Sequence, residues 1–314
     1  MIRTVTGDIN TSDVKNVFIH EHIQCASNDM LHIFGKDWID TDKLSDYASE
    51  ILIQINKKWN VNLIVDGTPI DLGRDIKLLK SVSEKSGTYI VASTGLYYYP
   101  SCVTGGNGEA EIASWFLKEC NEGAENTGVF PGILKCAVPW EEITSDAKKR
   151  MTAMAYVAKE TQLPIYVHCP HKGSIAQEQI EILLKNGVKP SQIIIGHCAI
   201  RPNADYIRDI LNSGCYISMD QCHCSGSTPA EIALCLYELC NKGYSSKLIL
   251  SNDICIYSDF PHRKYNGLHL TQEEQSEIFG FNFKKILPEF EAVGGKEEDI
   301  IKMLRDNALE VLNV

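Results

Sequence analysis

The stretch from residue 164 to residue 197 sets the fold. It begins Pro164-Ile165-Tyr166-Val167-His168, passes through a segment of helical character at 175–185, and ends Ile193-Ile194-Ile195-Gly196-His197. Both apolar runs are continuous rather than alternating, as in a strand buried on both faces, and two such runs joined by a helix-length crossover make a parallel unit. Val- and Ile-rich runs of this kind recur at 17–20, 62–65, 89–92, 132–135, 164–168, 193–197, 215–219 and 247–251. The segments between them, at 43–59, 74–85, 110–125, 145–160, 175–185, 204–212 and 229–241, are rich in helix formers, and Pro190 and Gly214 stand where helices should stop. Spread over 314 residues, eight units take about 39 residues each, the scale of an α/β chain folded as a (β/α)8 TIM barrel. A single barrel domain over 1–314 is therefore expected, although length alone also allows two domains. A doubly wound open sheet is the alternative, weakened by the lack of a Gly-x-Gly-x-x-Gly fingerprint after the first strand. The polar stretch 258–277 reads as an elaborated loop after the eighth strand.

With 44% hydrophobic and 23% charged residues the composition is that of a globular chain, which excludes disordered and fibrous classes. Thirty basic against 41 acidic side chains give a formal charge of −11, and the pI is near 5.3. That balance argues against nucleic acid and anionic lipid as partners. The opening residues lack the apolar centre of a secretory signal, and no window approaches the roughly 20 apolar residues of a membrane span, so a soluble cytoplasmic protein is expected. Twelve cysteines are many, but none forms a Cys-x-x-Cys pair, and they read as reduced core residues. Cys222-His223-Cys224 is not a complete zinc pattern.

In a barrel, function belongs at the C-terminal ends of the strands. There the first run ends in His20-Glu21-His22, the fourth carries Lys135, the fifth and sixth end at His168 and His197, and the eighth at Asn252-Asp253. His20 and His22, two apart on a strand, share a face and would point into the barrel mouth. Each histidine alone could be a hydrogen-bonded core residue. Four of the nine histidines at strand ends, with an aspartate in the same register, are hard to explain by packing, and together they form a donor set for zinc or a similar divalent ion. Lys135 lies in an apolar strand where an ammonium would suffer a large desolvation penalty. It could snorkel to the surface, act as a neutral amine that forms a Schiff base, or take up carbon dioxide as a carbamate that bridges two ions. The surrounding histidines favour the carbamate.

The ordered set Phe18-Ile19-His20-Glu21-His22, Gly132-Ile133-Leu134-Lys135-Cys136, Val167-His168, Ile195-Gly196-His197-Cys198 and Leu250-Ser251-Asn252-Asp253 strongly resembles the phosphotriesterase-like branch of the amidohydrolase superfamily. Thr94-Gly95-Leu96-Tyr97 resembles the family's third-strand ending. Met303-Leu304-Arg305-Asp306-Asn307-Ala308 resembles its final helix, with alanine where proline is usual. The resemblance implies two divalent metal ions, zinc in the first instance. His20, His22 and Asp253 would hold the more buried ion, His168 and His197 the more exposed one, and carbamylated Lys135 would bridge them. It also implies a metal-bridging hydroxide as nucleophile, with Asp253 as the catalytic residue that orients it and takes its proton. Homodimers occur in this family, and Trp38, Trp59 and Tyr47 are available to an interface or to the core.

Specificity belongs to the loops. Tyr97, Tyr98 and Tyr99 follow the third strand, Trp140 follows the Lys135 strand, and His171 and Lys172 follow His168. Arg201 and the cluster His262-Arg263-Lys264 add basic islands to an acidic chain. Tyr97, Lys172 and Arg263 are the expected substrate contacts, and the basic residues point to a small anionic substrate. A lactonase or related carboxyl-ester hydrolase acting on a sugar lactone, with or without phosphate, is the leading expectation. A phosphotriesterase or phosphodiesterase using the same site comes second. A Schiff-base lyase using Lys135 and an inactive metal-binding protein are the alternatives from other classes.

Overall fold

The apolar runs pair in the order in which the chain presents them. The computed structural model describes residues 1–99, 101–139, 142–259 and 270–313. A short antiparallel hairpin, β1 (Ile2–Thr4) and β2 (Gly7–Ile9), precedes the main sheet. Eight parallel strands follow: β3 (Asn16–Cys25), β4 (Val61–Asp66), β5 (Tyr89–Gly95), β6 (Ile133–Ala137), β7 (Ile165–His168), β8 (Ile193–Ile195), β9 (Tyr216–Met219) and β10 (Leu248–Leu250). Between successive strands run the helices Thr41–Trp59, Ile76–Ser86, Glu109–Glu122, Ser145–Thr161, Ile175–Lys185, Ala204–Leu211 and Pro229–Asn241. Asp40, Asp75, Thr144 and Thr228 start four of them by accepting a backbone N–H of the first turn, as short polar residues do at an N-cap.

Closure is made by a split strand. β10 pairs with β9, whereas its continuation β11 (Cys255–Ser258) pairs with β3 on the far side. Across the break the Asp253 N–H donates to the His20 carbonyl at 2.9 Å, and the His22 N–H donates to the Ile254 carbonyl at 2.9 Å. The result is a curled parallel sheet wrapped by helices, a single-domain fold of the (β/α)8 TIM-barrel type.

Inward-facing Val17, Leu63, Val91, Ile133, Ile194 and Ile249 fill the barrel, with Ile2 from the hairpin and Val311 and Leu312 from the last helix packed into the same cluster. Outward-facing Phe18, Ile64 and Ile90 meet one group of helices, and Leu134, Val167 and Ile195 the other. Cys136, Cys169 and Cys198, each beside a proposed ligand, lie in that helix-facing layer. Burial of each aliphatic side chain stabilises by about 1.5–3 kcal/mol before conformational entropy is counted.

Three differences from the sequence reading have physical causes. β3 runs to Cys25 rather than stopping at His20, because β11 lies beside its upper half. The stretch 258–277 is not all loop: a helix at Gln272–Phe279 starts with a capping box between Thr271 and Glu274, a signal present in the sequence. Of the aromatics considered for an interface, Trp59 stacks on Phe283 at 5.1 Å and Tyr47 donates to the Leu270 carbonyl, so both serve the helix layer, while Trp38 is 36% exposed. Among the described residues no helix is long and apolar enough to cross a membrane.

Candidate metal centre

Strict alternation along β3 would send His20 and His22 to the helix side, since Val17 and Ile19 already point inward. A bulge prevents this. Phe18 stands opposite Ile64 and Glu21 opposite Asp66, so β3 carries one extra residue between them and its facing flips. His20 then rests against the backbone of Gly67, where a Cβ would lie 2.7 Å from the imidazole Cδ2. Two further side chains reach the interior through left-handed backbone, His197 with φ 63° just beyond β8 and Asp253 with φ 58° in the split strand. Non-glycine residues adopt that conformation only where the surroundings enforce it, and such strain gathers at functional sites.

The converging atoms form two groups. In one, the His22 Nε2 lies 3.1 Å and the His20 Nε2 3.6 Å from the Asp253 Oδ1, and the Lys135 Nζ lies 2.7 Å from the His20 Nε2. In the other, the His197 Nε2 and the His168 Nδ1 are 2.7 Å apart. Ligand atoms of His20, His22 and Asp253 all fall within 4.8 Å of one another, close enough to surround one cation. All six side chains are buried. Burial first, and the Lys135 ammonium second, push His20 down to about 3. Burial likewise holds His168 well below the usual imidazole range and lowers Lys135, against the raising influence of Asp253 and Asp220. Neutral imidazoles are the form that ligates a metal, and burial favours that form at His20 and His168, whereas at His22 burial is outweighed by Cys255 and Asp253, which raise it; imidazole and carboxylate together are donors that fit divalent cations.

Asp220, which closes β9, is the residue the sequence reading overlooked. Its Oδ1 accepts from the His197 N–H at 2.9 Å and faces the His197 Nδ1 at 2.7 Å, and its Oδ2 faces the His20 Nδ1 at 3.2 Å. Ser218 Oγ at 2.9 Å and the Tyr166 hydroxyl also donate to Oδ2. Burial would raise this carboxyl, but His197 and His20 outweigh it and hold Asp220 well below the carboxylate range. With its lone pairs engaged on the side away from the centre, Asp220 orients two imidazoles so that their Nε2 atoms face the site. The rule that exposed His168 and His197, a polar residue closing an apolar strand, applies equally to Asp220.

Glu21, between the two β3 histidines, braces the split strand. Its carboxylate accepts from Ser251 Oγ at 3.0 Å, from the backbone N–H groups of Asn252 and Ile254 at 2.9 Å each, and from Asn252 Nδ2 at 3.1 Å. The turn that carries Asp253 is thereby fixed. Gln221, itself at φ 59°, donates from Nε2 to the Asp253 Oδ2 at 2.5 Å, and the His22 Nδ1 meets Thr68 Oγ1 at 2.8 Å.

The expected substrate contacts fare unequally. Tyr97 and Tyr98 set their rings 5.1 and 5.9 Å from the His168 ring, forming a wall beside the second donor pair. Buried Arg150 donates to the carbonyls of Tyr97, Tyr98 and Tyr99, and Asp71 accepts the Tyr97 N–H at 2.8 Å, so the loop is held by two residues that no sequence signal had marked. Lys172 is exposed in the turn after β7. His171 corrects the expectation of a mouth residue: it is 4% exposed, at φ 51°, between the Gly196 carbonyl and the Tyr206 hydroxyl. Arg201 stacks on Tyr206 at 5.1 Å. Trp140, His262, Arg263 and Lys264 lie outside the described residues.

A parallel barrel whose C-terminal mouth gathers imidazoles, carboxylates and one buried amine defines a class, the barrel hydrolases with a donor set able to hold cations. The profile of the phosphotriesterase family matches residues 1–312, and the chain belongs to that family, whose members are binuclear metal hydrolases. It is 27% identical over 318 residues to a phosphotriesterase homology protein of Mycobacterium tuberculosis, covering 98% of this chain and 95% of that one. It is 31% identical over 259 residues to an aryldialkylphosphatase of Saccharolobus solfataricus, covering 80% and 81%. An N-acetyltaurine hydrolase of Dictyostelium discoideum is 24% identical over 318 residues, covering 93% and 82%.

Proposed function

We propose that this chain is a metal-dependent hydrolase of carboxyl esters, acting first on lactones, in particular a sugar lactone with or without phosphate. The observation that carries hydrolysis is the convergence of His20, His22, His168, His197 and Asp253 around Lys135. His20, His22 and Asp253 would hold one divalent cation and His168 and His197 the other, zinc being the ion this nitrogen and oxygen set suits. Lys135 would reach both as a carbamate: the neutral amine adds carbon dioxide, an N–C bond forms and one proton leaves. When bound, the two cations supply Lewis acidity toward water and toward the substrate's carbonyl or phosphoryl oxygen.

The chain's own residues do the rest. Asp253 takes the proton of the attacking water through a carboxylate whose Oδ1 faces the centre, while Gln221 fixes its rotamer through Oδ2. Tyr97 and Tyr98 wall the pocket beside His168 and hold a small ring in place. Lys172 and Arg263 would meet an anionic substituent. The relatives named N-acetyltaurine hydrolase favour a carbonyl reaction centre on an anionic substrate, as in a charged lactone. The relative named aryldialkylphosphatase favours a second reading, phosphotriester hydrolysis at the same centre. A Schiff-base lyase is disfavoured by the position of the Lys135 Nζ, 2.7 Å from the His20 Nε2 and 4.4 Å above the Tyr166 ring.

Protein purified without chelator should carry close to two divalent ions per chain, and a metal-free, fully active preparation would overturn this assignment. Lactones with and without phosphate, screened by pH indicator beside a trialkyl phosphate, separate the two readings. Should the double substitution Lys172→Ala and Arg263→Ala leave the rate on an anionic lactone unchanged, the basic-mouth part of the assignment fails.

A further inference from the structure

Cys25 and Cys255 stand near the top of neighbouring parallel strands, the Cys255 Sγ 3.4 Å from the Cys25 Sγ. Both are buried, and Cys255 lies directly opposite His22 in the register. A ring nitrogen of His22 and the two sulfurs all fall within 4.8 Å of one another. The side of the ring involved follows from the sheet order. β4 and β11 flank β3 on opposite sides, and the His22 Nδ1 is engaged by Thr68, just past the end of β4. The Nε2 therefore faces the β11 flank, where Asp253 Oδ1 lies 3.1 Å away and where the sulfurs stand.

We infer that Cys25 and Cys255 supply sulfur donors to the cation held by His22 and Asp253. The inference rests on the metal reading given above and adds to it a soft character. Nitrogen and carboxylate donors alone accept zinc, manganese or cobalt with modest discrimination, whereas thiolates favour thiophilic ions strongly over oxygen-seeking ones. Each thiol releases its proton to solvent as its sulfur binds the ion. His22 and the two sulfurs lie within 4.8 Å of one another, and His22 also belongs to the cluster with His20 and Asp253, so rotation of the two cysteine side chains would bring sulfur to the ion that His22 holds. The paired thiols also raise the site's preference for cadmium above that of a centre of histidines and a carboxylate alone.

The full chain, kept reduced and stripped of metal, is loaded separately with Co2+ and Cd2+. An intense near-ultraviolet sulfur-to-metal charge-transfer band is expected with each ion. The band should weaken in Cys25→Ser and in Cys255→Ser and vanish in the double variant, which still binds two ions per chain. The preference for Cd2+ over Mn2+ should fall at least tenfold in that double variant. Two bound Co2+ without the band in the wild-type chain would overturn the inference and leave the metal reading standing, as would a band that survives in the double variant. A chain that binds neither ion overturns the metal reading itself. Absence of the band from the wild-type spectrum overturns the inference even if a variant misfolds, and its weakening in either single variant that folds assigns it to these two sulfurs.

Discussion

The two ends of this barrel are built on the same strands and by the same inward-outward alternation, yet they obey opposite rules. In the lower layer Val17, Leu63, Val91, Ile133 and Ile249 face one another in ordinary strand conformation, with Ile2 of the hairpin and Leu312 of the last helix at the floor, all held by burial. Higher in the same barrel, at or just past the C-terminal ends of its strands, stand His20, Lys135, His168, Asp220 and Asp253, equally buried and polar. Positive φ at His171, His197, Gln221 and Asp253 is concentrated at this upper rim. The lower layer is stable because of what it buries, and the upper layer is tolerated because each polar group is engaged by another. Tyr166 joins the two, its ring in the apolar layer and its hydroxyl on Asp220.

The largest expected break of this division is Lys135→Ala. It should abolish binding of at least one ion and lower kcat by about a thousandfold or more, since ligand and electrostatic contribution go together. Short carboxylates added to the buffer should restore part of both, as measured by metal analysis and initial rates. An unchanged metal content would show that Lys135 is a structural lysine. The counterpart in the lower layer is Leu63→Ala, on a strand with no proposed ligand. It should cost about 2–5 kcal/mol of stability in denaturant unfolding while leaving two ions per chain. Loss of metal in that variant would mean that the two ends are not separable. Asp220→Asn comes next: the imidazoles of His20 and His197 lose their orienting acceptor, and metal affinity should fall about 10–100-fold in chelator competition with the fold intact.

The lower layer was the more legible. Continuous apolar runs report burial on both faces directly, and the helix ranges at 175–185 and 229–241 coincide with Ile175–Lys185 and Pro229–Asn241. The metal-centre candidates were legible because a charged or imidazole side chain ending an apolar strand is costly unless used. What escaped was whatever depends on register and dihedral. The bulge between Phe18 and Glu21, the split of the eighth strand and the αL turns at His197 and Asp253 leave no mark in composition, yet they aim the side chains. Arg150 and Asp71 escaped because their role is to hold backbone groups of a distant loop. Residue type does not reveal such partners.

The smallest expected effect tests whether the buried polar rim is a cost to stability in acid. His171 is held by burial at about 4, below the usual imidazole value of 6.5, and its ring contacts the Gly196 carbonyl and the Tyr206 hydroxyl. In the unfolded chain it takes up a proton as pH falls through about 6.5, whereas in the folded chain it stays neutral until about 4. The unfolded state therefore binds more protons in that window, and folding stability must fall as pH drops through it. Above the window both states are neutral and the residue adds no pH dependence. For a single group the loss between pH 6.5 and 5.5 comes to about 1 kcal/mol. His171→Gln removes the titration while keeping a polar side chain, so urea unfolding of the metal-loaded variant should fall less steeply over that unit than the parent does. The difference in slope is the readout, because the substitution also changes stability at every pH through its lost contacts. Equal slopes in parent and variant would mean that His171 is protonated as readily in the fold as outside it, and that the upper rim is wetter than its burial implies.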